Sequence, residues 1–263
     1  MKNYALIIGI VIIIMLSCIA IFAPLLSPYD PAAINQDSLL LSPSSQHPLG
    51  TDSLGRDLLS RIIYGARISL SVGLVAVGIA TLIGLLVGSL SGFYVGLLDL
   101  ILMRLVDVML CFPTFYLILA VTAIAGPSVF NIMLIIGLTS WMGVARLVRA
   151  EILSLKEREF IQAAQAIGAT HSRIILRHHI PNALTPVLVN ATLGVSAAIL
   201  IESGLSFLGL GVQPPTASWG NILIESKSTL GVAWWITVFP GLSILITILG
   251  FNMLAEGLKK EIG

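Results

Sequence analysis

No charged residue interrupts the chain between Asn3 and Tyr29, and Ala5 to Ala23 reads ALIIGIVIIIMLSCIAIFA. A run of this kind fits one environment. A helix needs about 20 apolar residues to cross the hydrocarbon core of a bilayer, where all backbone polar groups must be satisfied within the span. Four more uncharged stretches follow, at Ile68–Leu98, Val108–Ala145, Leu184–Ile201 and Ser228–Ala255. Val108–Ala145 is too long for one helix and is broken at Ala125-Gly126-Pro127-Ser128, so it supplies parts of two spans. The expectation is an all-α polytopic membrane protein with six transmembrane helices. Composition agrees: 10% of the 263 residues are charged, where a soluble domain carries about a quarter. The first run is longer than the apolar core of a signal peptide, and no small-x-small cleavage site follows cleanly, so it reads as a retained anchor.

These runs divide the chain. Residues 1–67 hold an anchor helix at about 5–27, an outward-facing segment and an interfacial helix beginning at Asp57. Residues 68–256 form a five-helix core, with spans at about 68–92, 99–122, 128–148, 184–204 and 230–254. A polar loop at 150–181 and an outer loop at 205–229 join them, and 257–263 is a short tail. Lysine and arginine favour the cytoplasmic side. Arg146, Arg149, Lys156, Arg158, Arg173, Arg177, Lys259, Lys260 and Lys2 stand on one side, against Arg56, Arg61, Arg67 and Lys227 on the other. This places both termini and loop 150–181 in the cytoplasm.

Within the spans, Gly84, Gly88, Gly92 and Gly96 recur every four residues. They form a small-residue face for close helix approach, inside one subunit or between subunits. Arg104 and Asp107 are spaced to pair on one helix face, and Asp107 and Glu202 are the intramembrane acids that bear on a translocation path. Glu202 reads as a lone acid, lining that path or solvated at the interface. Cys18 and Cys111 lie in apolar runs and read as core residues, without a disulfide framework. Gly204, Gly209, Gly211, Pro214 and Pro215 impose irregular backbone at the outer end of the fifth span, as a re-entrant gate or a surface turn.

Motifs for bond chemistry are missing. There is no GxxxxGK[ST] phosphate loop, HExxH, GxSxG or Cys-x-x-Cys. Of the four histidines, His178 and His179 are adjacent and diverge by about 100° on a helix, so no metal site is expected. The chain moves or anchors something without catalysing a reaction itself.

The polar loop carries the most information. Glu151 to Ile167 is rich in helix formers, Phe160, Ala163, Ala164 and Ile167 share one face, and Gln162 and Gln165 flank it. Gly168 permits a bend, a second short helix runs from about His171 to His179, and Pro181 suits the start of the fifth span. The result is a helix–glycine–helix elbow, serving as a docking surface or as an interfacial connector.

This loop resembles the coupling loop of binding-protein-dependent ABC importer permeases, E-A-A-x3-G-x9-I-x-L-P, read here as Gln162-Ala163-Ala164, Gly168 and His178-His179-Ile180-Pro181. Gln162 replaces the family's glutamate, which removes any salt bridge made there and leaves the elbow's shape. His47-Pro48-Leu49-Gly50-Thr51-Asp52-Ser53-Leu54-Gly55-Arg56-Asp57 and Ser206-Phe207-Leu208-Gly209-Leu210-Gly211-Val212-Gln213-Pro214-Pro215 resemble the dipeptide, oligopeptide and nickel branch, in its C-type subunit. So do Trp234-Trp235 and Phe239-Pro240-Gly241. The resemblance implies the type I importer permease fold, a second homologous permease, two cytoplasmic ATPases that bind ATP and magnesium, and an extracytoplasmic solute-binding protein. It implies ATPase docking by Gln162, Ala163, Ala164, Gly168 and Pro181, no cofactor in this chain, no nucleic acid, and the inner membrane of a bacterium. Short peptides are the expected cargo and nickel chelates the alternative. An ion-driven secondary transporter, or a membrane scaffold without flux, are the readings of other classes.

Overall fold

The computed structural model describes residues 3–229 and 231–262, without the side chains of Ala164, Gln165, Ser172 and Ile262. Lys2 and Leu230, counted above with the N-terminus and the sixth span, lie outside the described residues. Helices account for nearly all of the regular structure, and no strand occurs among the described residues.

Helix α1 (Tyr4–Ile21) is capped by Asn3, whose side chain accepts from the Leu6 amide. A single turn, α2 (Ala23–Leu26), leads into an irregular segment that ends at Asp57. Asp57 then caps α3 (Leu58–Phe93), accepting from the Ser60 amide at 2.8 Å. The interfacial helix expected from Asp57 is in fact the first turns of α3. No proline interrupts the 36 residues, so hydrogen bonding propagates without a break. At 1.5 Å per residue the helix is about 54 Å long, well beyond the roughly 30 Å hydrocarbon core.

Helices α4 (Leu97–Leu110) and α5 (Thr114–Ala125) are bent from each other by 83°. Pro113, at the break, has no amide to donate and disfavours helix in the residue before it. Helices α6 (Val129–Thr139) and α7 (Trp141–Lys156) meet at Ser140. After α8 (Glu159–Ala166) and α9 (His171–Ile174) come α10 (Ile180–Phe207), α11 (Trp219–Thr229) and α12 (Trp235–Ile262). Among the described residues, five helical stretches are long and apolar enough to cross a membrane, and the bent α4–α5 pair makes a sixth if taken as one span.

Helix α3 is the hub. One apolar cluster joins it to α1, α10 and α12 through Leu16, Leu70, Ile199 and Phe251. Another joins it to α5, α6 and α10 through Val72, Ile118, Ile136 and Leu205. The glycine face serves packing inside this chain. A Cβ on Gly84 would stand 2.5 Å from Val144 Cβ, and one on Gly88 2.5 Å from the Ala145 carbonyl oxygen, so α7 lies directly on α3. Gly96 departs from that face: it lies outside α3, at φ +128° and in open space. Cys18 and Cys111 are exposed on the outside of the chain rather than in its core.

The two ends of the bundle differ. Asn3 Nδ2 donates to the Gly257 carbonyl at 2.7 Å, which sets the start of α1 beside the end of α12. At the other end of α12, Trp235 Nε1 donates to the Thr51 carbonyl at 3.0 Å, next to the start of α3. Both termini therefore share one end with the close of α3 and the elbow, while segment 27–57 and loop 208–218 occupy the opposite end.

Candidate functional site

The elbow is held by two isoleucines and displays its other apolar side chains. Ile161 of α8 and Ile174 of α9 are buried, whereas Phe160 is 46% and Ile167 86% exposed. Phe160, Ala163, Ile167, Gly168, Arg173 and His178 line an open groove of about 530 Å³. Gln162 is exposed at the edge of α8, its Nε2 donating to the Glu157 carbonyl at 3.4 Å. Ala164 continues the α8 backbone, and its side chain lies outside the described ones. Gly168 sits at φ +82°, with open space where a Cβ would project. Its role is conformational, because other residues rarely adopt that backbone.

Beyond the bend, the second arm is not a separate short helix. It runs from α9 through a π-helical turn, Ile175–His179, straight into α10, with the Ile180 amide bonded to the Ile175 carbonyl. Pro181 explains the turn: lacking an amide hydrogen and crowding the carbonyl four residues back, it cannot continue a regular α ladder. Pro181 is exposed in the first turn of α10.

The root of the elbow is clamped to α3. His179 is fully buried, its ring 5.9 Å from that of Phe93, and neither ring nitrogen has a hydrogen-bond partner among the described residues. His171 packs edge-on at 5.2 Å from the same phenyl ring. Lys156 Nζ donates to the Phe93 carbonyl at 2.6 Å. Nearby, Arg149 donates to both Asp99 oxygens, at 2.7 and 2.8 Å, tying α7 to α4. The root of the elbow is thus in direct contact with the end of the long hub helix.

At the opposite end, motif residues make a buried ionic knot. Asp52 receives Arg56 Nε at 2.7 Å and the Arg61 guanidinium, and Glu225 of α11 receives the same two arginines at 2.7 and 2.9 Å. His47 Nδ1 lies 2.9 Å from Asp57. Segment 47–61 is therefore stitched to α11, some 165 residues away in sequence. Glu202 is neither solvated nor alone. It is fully buried and accepts from Ser206 and Ser218 hydroxyls at 2.7 and 2.8 Å. Ser206 also accepts the Val212 amide at 3.1 Å, and Asn221 Nδ2 donates to the Val212 and Thr216 carbonyls. Loop 208–218 is folded into the bundle over this carboxylate and is not a plain surface turn.

Asp107 does not pair with Arg104. Its partner is Arg146 of α7 at 2.6 Å, with both side chains about half exposed on the chain's flank. Arg104 is exposed and makes no ion pair among the described residues. Among those residues, no three His, Cys, Asp or Glu side chains are grouped to hold a metal ion.

Sequence reasoning located the elbow and the outer motifs but missed the Glu225 partnership and the buried His179. Glu202 and Ser206, four apart on one helix, were a legible pair; Glu225 gave no local signal.

A family model described as binding-protein-dependent transport system inner membrane component matches residues 80–262, and one described as the N-terminal TM domain of oligopeptide transport permease C matches 1–43. The dipeptide transport system permease protein of Alkalihalophilus pseudofirmus is 45% identical over 261 residues, covering 99% of this chain and 86% of that protein. The oligopeptide transport system permease protein of Bacillus subtilis is 39% identical over 261 residues, with 99% and 86% covered. The glutathione transport system permease protein of Escherichia coli O6:K15:H31 is 40% identical over 251 residues, with 95% and 83% covered. Among solved structures, an amino acid ABC transporter crystallised with histidines matches with a TM-score of 0.57 at 16% identity, over 77% of this chain and 92% of that one.

Proposed function

The chain belongs to the inner membrane components of binding-protein-dependent transport systems, and from that premise we propose that it forms half of the path of an ATP-driven importer of short peptides. It is a multi-pass inner-membrane permease and not itself an enzyme. In our reading α4 and α5 together make the sixth span, and both termini and the elbow are cytoplasmic. Charge supports this orientation. Arg146, Arg149, Lys156, Arg158, Arg173, Arg177, Lys259 and Lys260 stand at the elbow end, against Arg56, Arg61, Arg67 and Lys227 at the other, and the cation-rich side is the cytoplasmic one.

The partners are a second, homologous permease, two cytoplasmic ATPases carrying ATP and magnesium, and a solute-binding protein at the outer end. The carrying observation is the elbow: an exposed apolar groove on a left-handed glycine, rooted on the longest helix. Gln162, Ala163, Ala164 and Gly168 present the docking surface, while Pro181 fixes where α10 begins. Docking driven by ATP swings the elbow, and the His179–Phe93–Lys156 clamp passes the motion to α3. Asp107 belongs to the flank that faces the path, and Glu202 holds the loop near its mouth. Peptide cargo rests on the relatives, which are named for dipeptides, oligopeptides and glutathione. The test is uptake of a labelled dipeptide by vesicles holding the complete importer. ATP-dependent, vanadate-sensitive uptake supports the reading. Uptake driven by a proton gradient with ATP held constant overturns it, and uptake of a nickel chelate alone reassigns the cargo.

A further inference from the structure

Three polar side chains without a hydrogen bond among the described residues converge on one cavity. It holds about 190 Å³ and lies between α3, the α6–α7 joint and α10. Thr81 of α3 lines it with a hydroxyl that is buried and unpartnered. Ser140 lines it from the joint, its side chain making no capping bond. Asn190 lines it from α10 with an exposed amide. Much of the remaining wall is small, as at Ala80, Gly194 and Ala197.

Leaving a buried hydroxyl such as that of Thr81 unpaired is costly, and several other threonines of this chain in spanning helices are paired. Thr122, Thr139, Thr192 and Thr247 each donate to the carbonyl four residues back in their own helix. Thr81 does not. Asn190 also lines a second groove of about 410 Å³, which continues along α10 to Lys259 at the elbow end. The two hollows follow α10 from Ile201 to Thr185, about 24 Å of helix.

We propose that this cavity is a seat for the peptide bond of the cargo, gripped by Asn190 with Thr81 and Ser140. The assignment rests on the peptide-import reading and adds the chemistry of recognition. A peptide bond offers one donor and one acceptor, and the asparagine amide offers both in return. The two hydroxyls supply either role. None of the three carries a charge, and the small walls leave room for different side chains, so the seat reads the backbone that all short peptides share. A few converging polar groups in an otherwise apolar hollow is the usual form of a ligand site.

The test uses the complete importer in vesicles and two probes, glycylglycine and glycylsarcosine, whose N-methyl group replaces the amide hydrogen. The readout is the ratio of their uptake rates, which cancels any loss of assembly. Asn190→Leu is expected to slow glycylglycine about tenfold, the loss of one hydrogen bond, and glycylsarcosine only about twofold. Thr81→Val removes a hydroxyl at constant shape and breaks no hydrogen bond among the described residues. It is expected to shift the ratio in the same direction, by about threefold. Equal slowing of both probes by both variants, or no change in either, overturns the seat and leaves a void or a surface covered by the second permease. If the unaltered importer, intact with all partners, takes up neither probe, the peptide reading itself fails and the seat falls with it.

Discussion

Replacing Gly168 tests whether the elbow's shape is what the ATPase engages. At φ +82° the residue lies in the left-handed region, and an added Cβ meets nothing within 4 Å. The cost of substitution is therefore backbone strain alone. It amounts to about 1–2 kcal/mol for an ordinary L-residue, or roughly a 5- to 30-fold shift away from the native bend. Valine, branched at Cβ, stands at the top of that range, alanine lower, and asparagine lowest because it enters this region readily. The assay is peptide uptake by the reconstituted importer, normalised to the amount of chain in the membrane. Gly168→Val is expected to lower uptake at least tenfold with insertion unchanged, Gly168→Ala less, and Gly168→Asn least. Normal uptake by the valine variant at normal abundance, or equal damage by asparagine and valine, would refute the reasoning.

Asp52→Asn leaves the buried Arg61 and Arg56 short of one carboxylate, and breaking a buried pair costs about 3–5 kcal/mol; a clearly lower melting temperature of the detergent-purified chain is expected. Gly88→Leu drives a side chain into the Ala145 carbonyl and Val148, whereas Gly78→Leu on the same helix meets open space. The first should sharply reduce folded protein in the membrane and the second should not, as read by resistance to mild proteolysis. Glu202→Leu orphans the buried Ser206 and Ser218 hydroxyls, at about 1–3 kcal/mol each. Hydrogen exchange at the Val212 amide should accelerate, while Glu202→Gln, which retains a carbonyl acceptor, should show a smaller effect.

Periodic features were legible from residues alone. Uncharged runs announced the helices because lipid leaves a spanning chain few options, and the four-residue glycine spacing announced a close helix contact. The bend at Gly168 was legible too, since one small residue stood between two helix-forming stretches. Long-range partners were not. Nothing near Asp107 says that Arg146 lies closer than Arg104, because the choice depends on how α7 settles into the glycine face of α3. Nothing around Arg56 and Arg61 points to Glu225, so the internal ion knot that these two cations make could not be read from the sequence. The π-helical turn was missed for a local reason: Pro181 was read as a start signal, although its clash with the preceding turn also reshapes the helix before it. The cysteines looked like core residues because apolar runs were equated with burial, which fails where lipid covers the outside of the bundle.

The most direct measurement is a cross-link from the elbow. Cys18 and Cys111 are exposed, so both are first replaced, and a single cysteine is placed at Ala163 on the exposed face of α8. The chain is then cross-linked in its native membrane, purified, and its adducts identified by mass spectrometry. Our account predicts an adduct with an ATPase carrying a P-loop, and its loss when cysteine is placed instead at Ile161, which is buried in the elbow's root. An elbow that captures no ATPase from Ala163, in membranes where the chain imports peptide, would contradict it.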